Sequence, residues 1–497
     1  MYKDLMLGID IGTSACKVAM FKRDGTPVAT ASQSYGIHYP QPGWAQQNPE
    51  DWWDGVCQAL KDLWQQGKAS PESVAGVGIG GQGWAAVAID KKGHVLCPSP
   101  LWMDTRAKDI CEELSDAIGR ERIFQVSGNP FKPTYTTPKI IWLKRNMPEV
   151  YAKTEYILQS NSFIVHRLTG AITQDLSQGY GLHCFDLQKG EYDYVLCEEL
   201  GIKASLLPEL VPCHHIAGAV TMEAAAASGL KEGTPVVAGG LDAACGTLGA
   251  GVIRDGETQV QGGQAGGMSI VTSRYNMSPV LINGYHVVPG RWLVQGGTVG
   301  GGGVLQWLRR EFGKGESFDQ LTAGAGDIPP GTEGLVFLPY MAGERSPIWD
   351  EDAKGVYYGL DYAKTKAHFI RAAMEGVAFS LRHNLEVAES AGTPAEEMCA
   401  MGGAANSPLW MQIKADVTGK PIAVSASDTA TTLGAALLAG VAVGLYGNFG
   451  EAVSATVSVQ RRYEPDESNK QVYDKNYAIY RQLYERLKPI SIKEVSL

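Results

Sequence analysis

Leu5-Met-Leu-Gly-Ile-Asp10-Ile11, Gly12-Thr-Ser-Ala15 and Lys17-Val-Ala-Met-Phe21 decide the fold. The first run reads as a strand, GTSA as a tight turn and KVAMF as a second strand. Asp24-Gly25 then turns the chain into a third strand, PVATASQSY at 27–35, since apolar and β-branched runs punctuated by Gly and Asp make an antiparallel meander. From Pro49 to Gln66, Trp52, Trp53, Val56, Cys57, Leu60 and Leu63 recur at helical spacing, and VAGVGIGG at 74–81 reads as a fourth strand.

A second pass follows Asp242. ETQVQGG (257–263), a glycine-rich turn, MSIVTS (268–273) and RWLVQGG (291–297) read as strands, and VLQWLRREF (304–312) as a helix behind four glycines. This weak duplication predicts two α/β domains, 1–249 and 250–497, divided near Ala250, each turning a glycine loop toward an interdomain cleft.

The totals agree with two domains, because 497 residues exceed what one core supports. The chain is 44% hydrophobic and 19% charged, an ordinary globular balance. A net charge of −10 without a basic patch argues against nucleic acid. Any phosphate must then be held by backbone N–H groups, one or two basic side chains and a divalent metal, which points to a small ligand in a cleft. The nine cysteines are scattered with no CxxC, so reduced thiols, no disulfide and no zinc site are expected. Lys3 and Asp4 lead straight into the apolar run, which leaves no signal peptide and makes the cytoplasm the expected location. Thr432–Tyr446 is the most apolar stretch, but it is shorter than the ~20 residues of a span and rich in Gly and Ala; a buried core helix is predicted, not a membrane segment.

Three places could carry chemistry. Asp10 with Gly12, Thr13 and Ser14 outlines a phosphate and metal cradle: backbone N–H groups and two hydroxyls beside a carboxylate of the kind Mg²⁺ accepts. An ordinary Asp-Gly turn is the alternative. Gly262–Gly267 would let a backbone approach a phosphate closely, and equally could be a plain turn. Asp242, in GGLDAACG where a strand ends and a small-residue helix begins, is either that helix's N-cap or a general base that takes the proton of a substrate hydroxyl.

Two longer stretches resemble the FGGY carbohydrate kinase family. Gly355-Val-Tyr-Tyr-Gly359-Leu360 followed by His368-Phe369-Ile-Arg-Ala372-Ala373-Met374-Glu375 is similar to its C-terminal signature. Thr136-Thr-Pro-Lys139-Ile-Ile-Trp142-Leu143-Lys-Arg145-Asn146 is similar to its N-terminal one, apart from Thr134. The resemblance covers nearly the whole chain. It implies an actin-like (ribonuclease H-like) duplicated two-domain kinase fold, with ATP and Mg²⁺ as cofactors and a small sugar or polyol as substrate. It further implies Asp242 as catalytic base and Asp10 as the metal-linked carboxylate. Gly12, Thr13, Ser14 and Lys17 fall in the first phosphate loop, and Gly263, Gln264 and Gly266 in the second. Gly403, Asn406 and Ser407 fall in the adenosine pocket, with Gln306 facing the phosphates. Gln306 could equally be a solvent-facing residue of an amphipathic helix. Homodimers are common in the family.

Within it, YPQPGWAQQNPEDWW, LWMDTR and FLPYMAGERSP are most similar to xylulokinases, which implies a ketopentose such as D-xylulose, bound by Gln82, Gly83, Trp84, Asp104 and Asp242. Two departures stand out: Gly81-Gln-Gly-Trp84-Ala85 replaces Gly-Gln-Met-His-Gly, and Gln264 replaces a threonine. Other kinases of the family, acting on ribulose, another ketose, a polyol or gluconate, remain alternatives. So do a non-catalytic actin-like protein that binds ATP or sugar, and, less well supported, an actin-like chaperone ATPase.

Overall fold

Strands β1 (Leu5–Ile11), β2 (Ala15–Phe21) and β3 (Pro27–Ser34) pair antiparallel around the turns that the glycines mark, with Asp10 opposite Lys17. β4 (Val74–Gly81) returns parallel to β1 and brings Gly80 beside Asp10. β5 (Ile216–Ala219) and β6 (Pro235–Val237) complete the order β3-β2-β1-β4-β6-β5, and a short β7 (Gly240–Leu241) pairs with β4 just before Asp242. The computed structural model describes residues 3–425 and 429–490.

One face of this sheet is covered by the Pro49–Gln65 helix, which opens with Asn48 accepting from the Glu50 N–H and Pro49 where no donor is needed. Trp52, Val56, Leu60 and Leu63 are buried along its apolar stripe with Ile9, Val18 and Met20, each such side chain contributing about 1.5–3 kcal/mol. Against the other face lies the Ala430–Ala442 helix. Its approach needs glycine: a Cβ at Gly8 would sit 1.8 Å from the Thr432 carbonyl oxygen, and one at Gly78 would sit 1.8 Å from that of Ala435. The expected core helix therefore belongs to the first half of the chain. The compact units are accordingly discontinuous, 1–253 with 283–293 and 429–457, and 254–282 with 294–428 and 458–497, in place of a single division near Ala250.

The second unit repeats the plan. β8 (Glu257–Gly262) pairs antiparallel with β9 (Gly266–Thr272), and β10 (Trp292–Thr298) enters this unit from Val294. β11 (Glu397–Met401), β12 (Ile422–Ser425) and β13 (Val459–Tyr463) extend the order to β10-β9-β8-β11-β12-β13, with β8, β11 and β12 mutually parallel and β13 antiparallel. The Lys366–Ser390 helix is buried along most of its length. Its Arg371 and Glu375, inside the longer of the two signature stretches, form a 2.9 Å buried pair, and Glu375 also takes the Gly331 N–H and the Thr332 hydroxyl. That stretch therefore builds structure. All nine cysteines are free thiols. Among the described residues, no helix is long and apolar enough to cross a membrane.

Candidate active site

The β1–β2 turn is held from outside. Tyr35 donates to the Gly12 carbonyl at 2.6 Å, Gln47 to the Thr13 carbonyl at 2.8 Å, Trp102 to the Thr13 hydroxyl at 3.0 Å, and the Gln82 N–H to the Ile11 carbonyl at 2.8 Å. The N–H groups of Thr13 and Ser14 donate to no described residue. Thr13 Oγ1 accepts from the indole and keeps its own proton to donate. Asp10 lies at the base of this turn with Oδ1 buried and unpartnered. Burial raises its carboxyl to about 7, the charge of Asp242 adds to that, and Lys17 across the ladder opposes it.

Asp242 is the first residue of its helix, Asp242–Gly249; the N-cap position belongs to Leu241. Asp242 Oδ1 takes the neighbouring Ala243 N–H, a first-turn donor of its own helix, at 2.6 Å, and its other oxygen makes no hydrogen bond to a described residue. Burial raises this carboxyl to about 6, partly offset by the Ala243 N–H. Two recessed carboxylates, one of which makes the other's ionisation harder, leave a local demand for a cation. A divalent ion on Asp10 fits that demand through one carboxylate, with water and phosphate oxygens completing the shell. The described residues hold no group of three or more metal-ligating side chains, so the protein would supply few of the ligands.

Gln82 is buried and donates to Gln47 at 3.0 Å, with its own carbonyl oxygen unpartnered. Trp84 adopts φ 59°, in the left-handed region. One face of its ring stacks on Tyr135 at 4.3 Å and Tyr180 meets it edge-on at 5.7 Å, so the indole offers at most one face to a ligand. Lys139, missed as a site residue although it stands in the shorter signature stretch, fixes this turn: its buried ammonium donates to the carbonyls of Trp84 at 2.7 Å and Thr134 at 2.6 Å. Burial lowers it to about 7. Asp104 departs from the expected sugar contact. It is wholly buried, and its two oxygens are consumed by Arg106 and by the Ala45 N–H, while Arg106 is pressed between Trp44 and Trp142. Asp104 orients Arg106. Trp102, two residues before it in the same LWMDTR segment, carries the link to the phosphate turn that Asp104 does not.

In the second unit the Gly302–Phe312 helix rests on the β8–β9 turn: the N–H groups of Gly302 and Gly303 donate to the carbonyls of Gly263 and Gln264, both at 2.9 Å. The carbonyls of the turn thus face the helix, and the N–H groups of Gly263, Gln264 and Ala265 donate to no described residue. A Cβ at Gly266 would come within 2.5 Å of Thr298 Oγ1. Gln264, Gly300, Gly303 and the exposed Gln306 line a groove of about 1010 Å³ that also reaches Trp307, Met341 and Ala342. The turn containing Gly403 and Asn406 lies against the end of β8, where a Cβ on Gly262 would meet the Ala404 side chain at 2.8 Å, and Asn406 is exposed. The Ser407 hydroxyl caps the Pro408–Thr418 helix by accepting from the Trp410 N–H at 3.3 Å and keeps its own proton to donate.

The family model described as the FGGY family of carbohydrate kinases, N-terminal domain, matches residues 5–249, and its C-terminal counterpart matches 265–443. Xylulose kinase of Bacillus subtilis (strain 168) is 30% identical over 491 residues, 98% of each chain. The crystal structure of xylulose kinase from Rhodospirillum rubrum superposes with TM-score 0.91 at 32% identity, covering 98% of this chain and 99% of that one. That of gluconate kinase from Lactobacillus acidophilus reaches 0.91 at 25%, covering 97% and 98%.

Proposed function

The chain belongs to the FGGY family of carbohydrate kinases and is an ATP-dependent sugar kinase; from that premise we propose that it phosphorylates a neutral ketopentose, D-xylulose being the first choice, with Asp242 as the base. The observation that carries this reading is the state of Asp242. Its carboxylate is recessed; one oxygen takes the Ala243 N–H, and the other has no hydrogen bond to a described residue. Its pKa of about 6 leaves it ionised near neutrality yet basic enough to accept a proton.

In the proposed step the substrate hydroxyl gives its proton to Asp242 as its oxygen bonds the γ-phosphorus of ATP, and the bond from that phosphorus to the bridging oxygen breaks to release ADP. Mg²⁺ associated with Asp10 would neutralise phosphate charge when bound. Thr13 and Ser14 donate to phosphate oxygens, as do the N–H groups of the 263–265 turn. Lys139 holds Trp84, and with it the aromatic wall of Tyr135 and Tyr180.

Two cations of the first unit support a neutral substrate: Lys139 spends two of its three donors on carbonyls and Arg106 is paired with Asp104, so neither stands ready to pair with the carboxylate of an aldonate. ADP release measured across pentuloses, hexuloses, polyols and gluconate, with and without Mg²⁺, tests the proposal. Turnover is expected on a pentulose and only with the metal. A preference for gluconate would overturn the neutral substrate, and ATP binding with no turnover on any sugar would overturn the kinase step.

A further inference from the structure

We infer that Arg345 binds the phosphate chain of the nucleotide, a role that rests on the kinase reading above and adds a side chain to a cradle otherwise built of backbone. Arg345 follows Glu344 in the loop after Tyr340, and its guanidinium lies on β10, where a Cβ at Gly297 would come within 3.2 Å of Cζ. Among the described residues its five N–H donors find one acceptor, the Thr298 carbonyl, at a long 3.4 Å, and no carboxylate lies within ion-pair distance. The more deeply buried arginines are paired directly: Arg106 holds Asp104 at 2.8 Å, and Arg371 holds Glu375 at 2.9 Å. A half-buried guanidinium whose nearest carboxylate, Glu344, makes no ion pair with it retains donors for an incoming anion.

The surroundings border the groove proposed for the nucleotide. Thr298, which Arg345 touches, packs on Gly266 at the end of the 263–265 turn, and a Cβ at Gly267 would meet the Gly296 carbonyl oxygen at 2.7 Å. Met341 and Ala342, which lead into this loop, line the groove with Gln264, Gly300 and Gln306. Glu344 ties the loop to the turn that opens the Gly302–Phe312 helix, its Oε1 accepting from the Val299 N–H at 2.6 Å and from the Arg345 N–H at 2.8 Å. Burial raises the Glu344 carboxyl to about 7, so near neutrality it only partly opposes an anion at Arg345. A planar fork beside free turn N–H groups matches phosphate oxygens.

The test is equilibrium binding of ATP, ADP, AMP and inorganic tripolyphosphate to the full chain and to R345Q, with thermal unfolding to verify that the variant folds. R345Q should weaken ATP, ADP and tripolyphosphate about tenfold or more while AMP stays within about twofold, because a charge-assisted contact to the terminal phosphates is lost. Unchanged ATP affinity, or an equal loss for AMP, would overturn the assignment. If R345Q does not fold, R345K, which keeps the charge but not the fork, is read the same way: a selective loss for ATP of about twofold or more supports the role, and equality with the parent overturns it. A parent protein that binds ATP yet releases ADP with no sugar would instead defeat the kinase reading and leave the binding result for Arg345 standing.

Discussion

In the first unit the hairpin between β1 and β2 carries Asp10 one residue before its last paired position, opposite Lys17; in the second, the hairpin between β8 and β9 carries Gln261 at the corresponding place, opposite Gly267. In both sheets the first hairpin strand also pairs with a parallel strand on its other side, but the far edges differ: β6 lies inside β5 in the first sheet, whereas β12 lies inside β13 in the second. Electrically they differ: the first turn rises beside two recessed carboxylates, the second offers N–H groups with Arg345 nearby. This contrast supports the proposed division of phosphoryl transfer, in which the first half handles the proton and the metal while the second half supplies most of the nucleotide contacts.

The largest effect should come from removing that asymmetry at Asp242. Asp242→Asn is expected to lower kcat by about 10²–10⁴-fold with the KM for ATP within about threefold, measured by coupled ADP release. Next, Asp10→Asn should stabilise the ligand-free protein at pH 8 by about 2–4 kcal/mol, because burial holds the Asp10 carboxyl near 7. A raised carboxyl stabilises the fold while it stays protonated, at low pH, and that contribution is lost as pH rises through the folded value. The parent's denaturation midpoint should therefore fall from pH 5 to pH 8 more than the variant's, and parallel pH curves would refute the assignment. Third, Gln261→Asp, which makes the second hairpin resemble the first, should raise the KM for ATP about tenfold by bringing a negative charge toward the phosphates; an unchanged KM would mean that the nucleotide does not approach this turn. Smallest is Trp102→Phe, which frees the Thr13 hydroxyl to rotate and should lower kcat about three- to tenfold with little change in stability.

The sequence was most legible where local chemistry governs. The hairpins at 5–21 and 257–272 are punctuated by their own glycines, and the helix at 302–312 announces itself by periodicity. At Asp242 local sequence is silent between cap and base, since both place an Asp at a strand-to-helix junction; in the structure Leu241 takes the N-cap position, and one Asp242 oxygen is left for the proposed role. Asp104 looked like a ligand because nothing in LWMDTR reveals that Arg106, two residues on, folds back onto it. Arg345 was overlooked for the converse reason: an arginine's missing counter-ion is an absence in space, and no string of letters shows it. The assignment of the 430–442 segment to the second half failed through distance alone.

That last helix ties function to the order of synthesis. Gly8 and Gly78 lack side chains so that Thr432 and Ala435 can press against them, yet the ribosome delivers those partners long after the strands, by roughly some tens of seconds at ordinary elongation rates. Until then β1 and β4 present a bare, glycine-notched face, so the first sheet is finished not when residue 253 emerges but only when the chain has reached Ala442.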